Sequence, residues 1–181
     1  MYVIQEHEIK SLIGEATEYD KKQCLEEKDP RSWLKSVSAF ANGIGGSLIF
    51  GIVDKTNEVV GLTDPEGDSE KISRFLRDRM DPIPPFVLRF ATVDDKNLII
   101  VEVHPGPETP YYYAGKSERT AYHRVGNESV ICDAGKLREL ALKGSGKTYD
   151  SLPSGYDFSK MAFTKLISTY YQRAHKDFQD T

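Results

Sequence analysis

A chain of 181 residues with about two-fifths apolar content is long enough for one domain with a real core and a short appendage. Its 24 Lys and Arg stand against 28 Asp and Glu, a net charge of −4, which excludes a nucleic-acid role resting on overall charge and leaves only a local basic face. Cys24 and Cys132 make neither a disulfide framework nor a zinc pattern, and the sequence has no basic-then-apolar leader and no long apolar run, so a soluble cytoplasmic protein without a membrane span is expected.

Ile9, Leu12 and Ile13 at helical spacing, with Gly14 to stop them, predict a short helix over 5–14. Next, Glu15-Ala-Thr-Glu18-Tyr-Asp20-Lys-Lys22 alternates. As a strand it sends Glu18, Asp20 and Lys22 to one face and Tyr19 and Lys21 to the other. Asp29-Pro30 is a helix start, with Asp capping the first amides and Pro where its missing N–H is harmless. Trp33, Leu34, Val37, Phe40 and Ala41 then form one apolar stripe, which predicts a core helix ending at Gly43.

Asn42, Gly43, Gly45 and Gly46 follow, and then a branched run from Leu48 to Val53 that reads as a buried strand. Phosphate-binding loops run strand, glycine loop, helix, so that the helix start faces the anion; here the order is reversed. These glycines therefore read as ending a helix and letting two backbones pass closely. Asp54, where the strand emerges, is a candidate functional residue, beside the plain reading of an Asx-turn residue.

The turn at Asp54–Glu58 leads to a second short strand at Val59–Leu62, and Ser69 is placed to cap a helix over 70–80 with Ile72, Phe75, Leu76 and Met80 inward. Asp81-Pro-Ile-Pro-Pro85 ends that helix. A strand pair follows, Phe86–Val93 and Leu98–His104, joined by Asp94-Asp95-Lys96-Asn97. The second of these is nearly all apolar and belongs in the middle of a sheet covered on both faces. Pro105-Gly106-Pro107 turns the chain to Pro110–Tyr113, a hairpin at Gly115-Lys116 returns it through Thr120–Gly126, and Asp133 caps a helix with Leu137, Leu140, Ala141 and Leu142 inward.

Two glycine-lysine stretches, Gly146-Lys147-Thr148 and Gly115-Lys116-Ser117, lack the earlier glycine of a phosphate loop, since Ala141 and Pro110 stand in its place. Beyond Thr148 the composition loosens before a final helix with Phe163, Leu166, Ile167, Tyr170 and Tyr171 at helical spacing, suited to a packing arm, a dimer contact or the start of a further domain. Residues 111–147 carry Lys116, Arg119, Arg124, Lys136, Arg138, Lys143 and Lys147 against Glu118, Glu128, Asp133 and Glu139, a local basic excess in an acidic chain. Aromatics interleave with these cations. The mixture suits a nucleic-acid backbone, with half-buried strand tyrosines as the structural alternative.

Taken in order, the acidic strand Glu15–Lys22, the Ala39–Gly46 helix end, the Gly51–Asp54 strand end and Tyr122-His-Arg-Val-Gly126 resemble the Schlafen/AlbA-like DNA-binding domain, also described as the divergent AAA family. The resemblance spans about residues 10–143. It implies an α/β domain, a mixed β-sheet flanked by helices, over residues 1–148, with a helical appendage over 149–181 leading to a C-terminal region. It also implies a nucleic-acid-binding module, DNA or RNA, at the N-terminus of a bacterial transcriptional regulator, working as a homodimer. Lys116, Arg119, Tyr122, His123 and Arg124 are the expected contact residues. The alternative it implies is a metal-dependent endoribonuclease in which Glu15, Asp20 and Asp54 hold Mg²⁺ or Mn²⁺ and Lys22 neutralises charge on the phosphate. Asp20-Lys21-Lys22 stands where the family pattern has Glu-Phe-Lys, and Glu18 offers a second alignment. ATP binding, suggested by the older family label, is the third expectation.

Overall fold

A single buried helix, α1 (Arg31–Asn42), joins the two sheets of the protein, which is described here by a computed structural model over residues 3–4, 18–115, 118–152 and 163–174. The helix predicted over 5–14, the candidate acid Glu15 and the hairpin-tip Lys116 lie outside the described residues. The strands are β1 (Val3–Ile4), β2 (Tyr19–Lys22), β3 (Gly46–Phe50), β4 (Met80–Asp81), β5 (Phe86–Val93), β6 (Lys96–Val103), β7 (Tyr112–Ala114), β8 (Arg119–Val125) and β9 (Glu128–Ile131). The remaining helices are α2 (Pro65–Arg79), α3 (Ala134–Gly144) and α4 (Thr164–Ala174). The chain divides into two compact units, 1–147 and 148–181, the second holding a 3₁₀ turn at Tyr149–Ser151 and α4.

The larger sheet has the order β1-β5-β6-β3-β2 and is mixed: β1 runs parallel to β5 and β2 parallel to β3, while β6 is antiparallel to both its neighbours. The expected mixed sheet with helices is thus present, and the apolar run in β6 does hold the middle place. The second sheet, β4-β7-β8-β9, is antiparallel throughout. Strand β9 was not anticipated, although Gly126-Asn127 between two strand-like runs is a hairpin signal; Gly126 takes φ +60 there and Val125 faces Glu128.

Helix α1 exceeds its expected amphipathic stripe. Trp33, Leu34 and Phe40 pack with Leu48, Phe50, Ile99 and Val101 of the larger sheet and with Tyr113 and Tyr122 of the smaller. Trp33 meets Phe50 and Phe75 edge-on, with ring centroids 5.6 and 6.1 Å apart. The polar residues flanking that stripe on α1, Ser36 on one side and Ser38 and Asn42 on the other, are buried as well. Small uncharged polar residues there make hydrogen bonds that a second sheet demands, and charged ones would have marked a wet face.

Four local expectations change. Asp29 contributes its backbone carbonyl to Ser32 and no side-chain cap to α1. Helix α2 begins at Pro65, capped by Asp64, whose carboxylate accepts from the Gly67 amide at 3.0 Å; this Asp-Pro start leaves Ser69 inside the helix. Val59–Leu62 forms one bridge, Ile52 to Val59, and no strand, because Gly51 at φ +103 turns the chain out of the ladder at the end of β3. The β5–β6 hairpin is tighter than expected, with Asp94 at φ 47 and Asp95 at φ 58 forming its two-residue turn.

Helix α3 is capped by Asp133, which accepts from the Lys136 amide at 2.7 Å, and it buries Leu140 and Leu137 against Ala121 and Cys132 while Ala141 stays exposed. Burial pushes the Cys132 thiol up to about 11, whereas Cys24 is exposed. A thiol reagent at pH 8 is therefore expected to titrate one fast thiol, Cys24, and to reach Cys132 only on unfolding. Two fast thiols would show that α3 does not seal this region.

Candidate functional site

Strand β2 runs parallel to β3 and directs Asp20 and Lys22 toward α1, so the alternation expected from sequence places these two together. Asp20 is tightly held. Its Oδ2 accepts from the Ser36 hydroxyl of α1, and its Oδ1 accepts from Lys22 Nζ at 3.1 Å. On the opposite face of β2, Lys21 is buried and donates to Asn57 Oδ1 at 2.6 Å, tying the turn that carries Asp54 to the strand.

Arg124 reaches in from β8. Its Nη2 donates to the Tyr19 carbonyl at 3.3 Å, its Nη1 to Ser129 Oγ at 3.2 Å, and the guanidinium lies 5.0 Å above the Phe40 ring. Burial lowers its pKa, and the nearby Asp20 charge opposes that shift. Arg124 thereby closes one side of the sandwich between β2 and the smaller sheet. Together with Asp20, Lys22, Ser36 and Ser129 it lines a cleft of about 320 Å³, whose mouth is completed by Lys35, Asp54, Asn127 and Glu128. Asp54 is exposed on its turn. Among the described residues neither Lys35 nor Asp54 has an ion-pair partner.

Of the residues expected to form a basic strip along 116–124, those described do not share one surface. A strand alternates, so Tyr122 and Arg124 turn to α1 while Arg119 and His123 take the outer face. Arg119 pairs with Asp81 at 2.9 Å and covers the Tyr112 ring at 4.0 Å. Tyr122 is buried, its hydroxyl accepting from Arg31 Nε at 2.8 Å, and its ring is closed to a base. His123 lines a second cleft, of about 330 Å³, with Glu18, Lys136 and the glycine turn Gly43–Gly45, and Arg124 is a wall of both clefts.

Lys35, Ser36, Asn127 and Ser129 were not singled out from sequence. For Ser36 a signal was there, since it is one of three small uncharged polar residues, with Ser38 and Asn42, interspersed in a helix with a strong apolar stripe. For Lys35 there was none, because one lysine on a helix rim looks like any solvated cation.

A divalent ion at the cleft would need several free oxygen donors. Both carboxylate oxygens of Asp20 are committed to Lys22 and Ser36, and among the described residues no three His, Cys, Asp or Glu side chains gather to hold a metal. Glu15, the third acid of the expected trio, lies outside the described residues, and of the other two Asp20 already holds Lys22 and Ser36 while Asp54 stands exposed on its turn.

The family Schlafen, AlbA_2 matches residues 15–133, more than half of the chain and a span that holds α1, the whole smaller sheet and the linings of both clefts except Lys136. The chain belongs to the Schlafen AlbA_2 family. Among solved structures, the DIP2311 protein from Corynebacterium diphtheriae is similar in fold, with a TM-score of 0.57 and 18% identity over 93% of this chain and 34% of that one. The present chain thus spans about a third of the length of that protein. The N-terminal domain of a RecG-related protein from Nitrosomonas europaea aligns with a TM-score of 0.49 and 20% identity over 70% of this chain and 90% of that one. No curated protein matches the sequence. In the Schlafen AlbA_2 pattern read here, Tyr122 and Arg124 serve the fold through Arg31, Tyr19 and Ser129, and the position between them, His123, is left to the surface. No helix among the described residues is long and apolar enough to cross a membrane.

Proposed function

We propose that this Schlafen AlbA_2 domain is a nucleic-acid-binding module of a transcriptional regulator and that it holds the phosphate backbone at the cleft between β2, α1 and the β8–β9 hairpin. The observation that carries this reading is Lys35: a cation without an ion-pair partner among the described residues, at the mouth of a cleft lined by polar side chains and backed by Lys22 and Arg124. Contacts of this kind position a polynucleotide without reading its sequence. Asn127 at the hairpin turn adds an amide that donates to phosphate or sugar oxygens. Asp20 is neutralised by its own partners and repels phosphate little; Asp54 and Glu128 restrict where the backbone lies.

Fluorescence anisotropy with labelled single and duplex strands, at 50 and 200 mM salt, tests this. Lys35→Ala is expected to weaken binding to every strand alike and to reduce the salt slope by about one unit, the signature of one lost phosphate contact. Arg119→Ala, already paired with Asp81, is expected to bind within two-fold of the parent, about the scatter of a rim contact. Binding indifferent to salt and to Lys35→Ala would remove the reading. The ribonuclease alternative draws support from Asp20 and Asp54 lining one cleft, and Asp20's existing partners weigh against it. On the binding reading the same RNA stays intact with Mn²⁺, and cleavage lost in Asp54→Ala would reverse the order of the two.

A further inference from the structure

The second cleft differs in chemistry from the first. Its floor is the glycine turn after α1, where Gly45 takes φ +98 and a side chain would strike the Val103 carbonyl at 2.9 Å and Pro105 at 3.1 Å. That tight seat lifts Ile44 into solvent, 76% exposed, beside a cavity of about 330 Å³. His123 stands on the same cavity from the outer face of β8, and among the described residues no hydrogen bond or ion pair engages its ring. Glu18 and Lys136 supply an acceptor and a donor at the rim, although Lys136 is shared with Glu139 at 2.7 Å. An apolar side chain, a flat unengaged ring and a few polar groups around a space of this size suit one planar heterocycle.

Arg124 connects this space to the phosphate cleft. It forms a wall of both, so a phosphate held on the Lys35 side lies one side chain away from the His123 cavity. We propose that the second cleft is a nucleobase subsite: the base next to the phosphate at Arg124 leaves its stack and packs between Ile44 and the His123 imidazole. This rests on the phosphate-binding reading above and adds to it a requirement for an unstacked base. The phosphates supply sequence-independent attachment, and the subsite gives the protein a preference for strands whose bases swing out freely.

The probe is a pair of labelled 12-nucleotide single strands, one of uridines and one of the same length made wholly of abasic sites, measured by anisotropy on the full chain. The parent is expected to bind the uridine strand about five-fold or more tightly than the abasic one, the low end for one stacked base. His123→Ala and Ile44→Ala are each expected to lower affinity for the uridine strand toward the abasic value and to leave abasic binding unchanged. His123→Phe, which keeps a flat ring, is expected to retain the preference. Lys35→Ala is expected to weaken both strands equally. Equal affinity of the parent for the two strands, or His123→Ala and Ile44→Ala variants that keep the parent's preference, would overturn the subsite while leaving the phosphate reading standing. No binding of either strand would overturn both. Melting curves of the variants establish that each is folded.

Discussion

Replacing Asn42 by Ala is expected to destabilise the domain by about 3–5 kcal/mol, the sum of two or three buried polar groups left without partners. Asn42 is 3% exposed at the end of α1, and its side chain closes the seam between the helix and the smaller sheet. Its Nδ2 donates to the Tyr111 and Tyr122 carbonyls, both at 3.0 Å, and its Oδ1 accepts from the Tyr111 amide at 2.8 Å. Ser38 supports the same seam, donating to the Tyr111 carbonyl at 2.7 Å and accepting from the Tyr122 amide at 3.0 Å. Without Asn42 the Tyr111 amide and the Tyr122 carbonyl lose their side-chain partner at a buried position. Urea midpoints with an unchanged slope measure the effect. Asn42→Asp separates hydrogen bonding from volume, because it keeps the shape and loses both donors. It should be as damaging as Ala, and an Asp variant near parental stability would refute this account of the seam.

The second large effect is expected at Gly46, the first residue of β3. A Cβ there would lie 2.3 Å from Phe40 Cδ1 and 2.7 Å from the Glu18 carbonyl oxygen. Phe40 is fully buried and cannot withdraw, and Glu18 O already accepts from the Ser47 amide at 2.8 Å, so neither neighbour yields without moving β2. Gly46→Ala is expected to lose about 3 kcal/mol, the upper end for overpacking a filled core. Gly126→Ala is the control. It has nothing within 4 Å of its added Cβ, only φ +60 to strain it, and should lose about 1 kcal/mol. Because β2 carries Asp20 and Lys22, Gly46→Ala should also weaken strand binding, whereas a Gly126→Ala change should act on binding only through the hairpin turn. Thermal melts together with anisotropy distinguish these. Equal losses at the two glycines would mean that the close approach at Gly46 is relieved by small shifts.

Much of the architecture was legible because its signals are local. The β5–β6 pair and the core position of β6 follow from an unbroken apolar run, α1 from its stripe, and the Asp133 cap from residue type and place. The glycines after α1 were read as a helix end and a close approach, and Gly43 to Gly46 do both. Boundaries slipped where two starts competed: Asp64-Pro65 and Ser69 are each credible caps, and the earlier one nucleates α2. Val59–Leu62 has a strand's composition, but one glycine in the left-handed region, Gly51, takes the chain off the sheet edge.

For this protein, sequence alone determined the elements and the family resemblance, since helix stripes, strand alternation and ordered motifs are properties of neighbouring residues. It also placed Asp20 and Lys22 on one face of β2, a consequence of strand period. Only the tertiary structure decided which cations face which cleft. Arg119 and Arg124 are five positions apart, so strand period alone puts them on opposite faces, but only the fold sets one against Asp81 and Tyr112 and the other over Phe40, beside Asp20. Lys35, without mark in the sequence, stands at the cleft because α1 is clasped by a sheet on each side and its rim meets the β8–β9 hairpin there. Arg31 meets Tyr122 and Ser36 meets Ser129 across 91 and 93 positions of chain, and no local pattern carries that information.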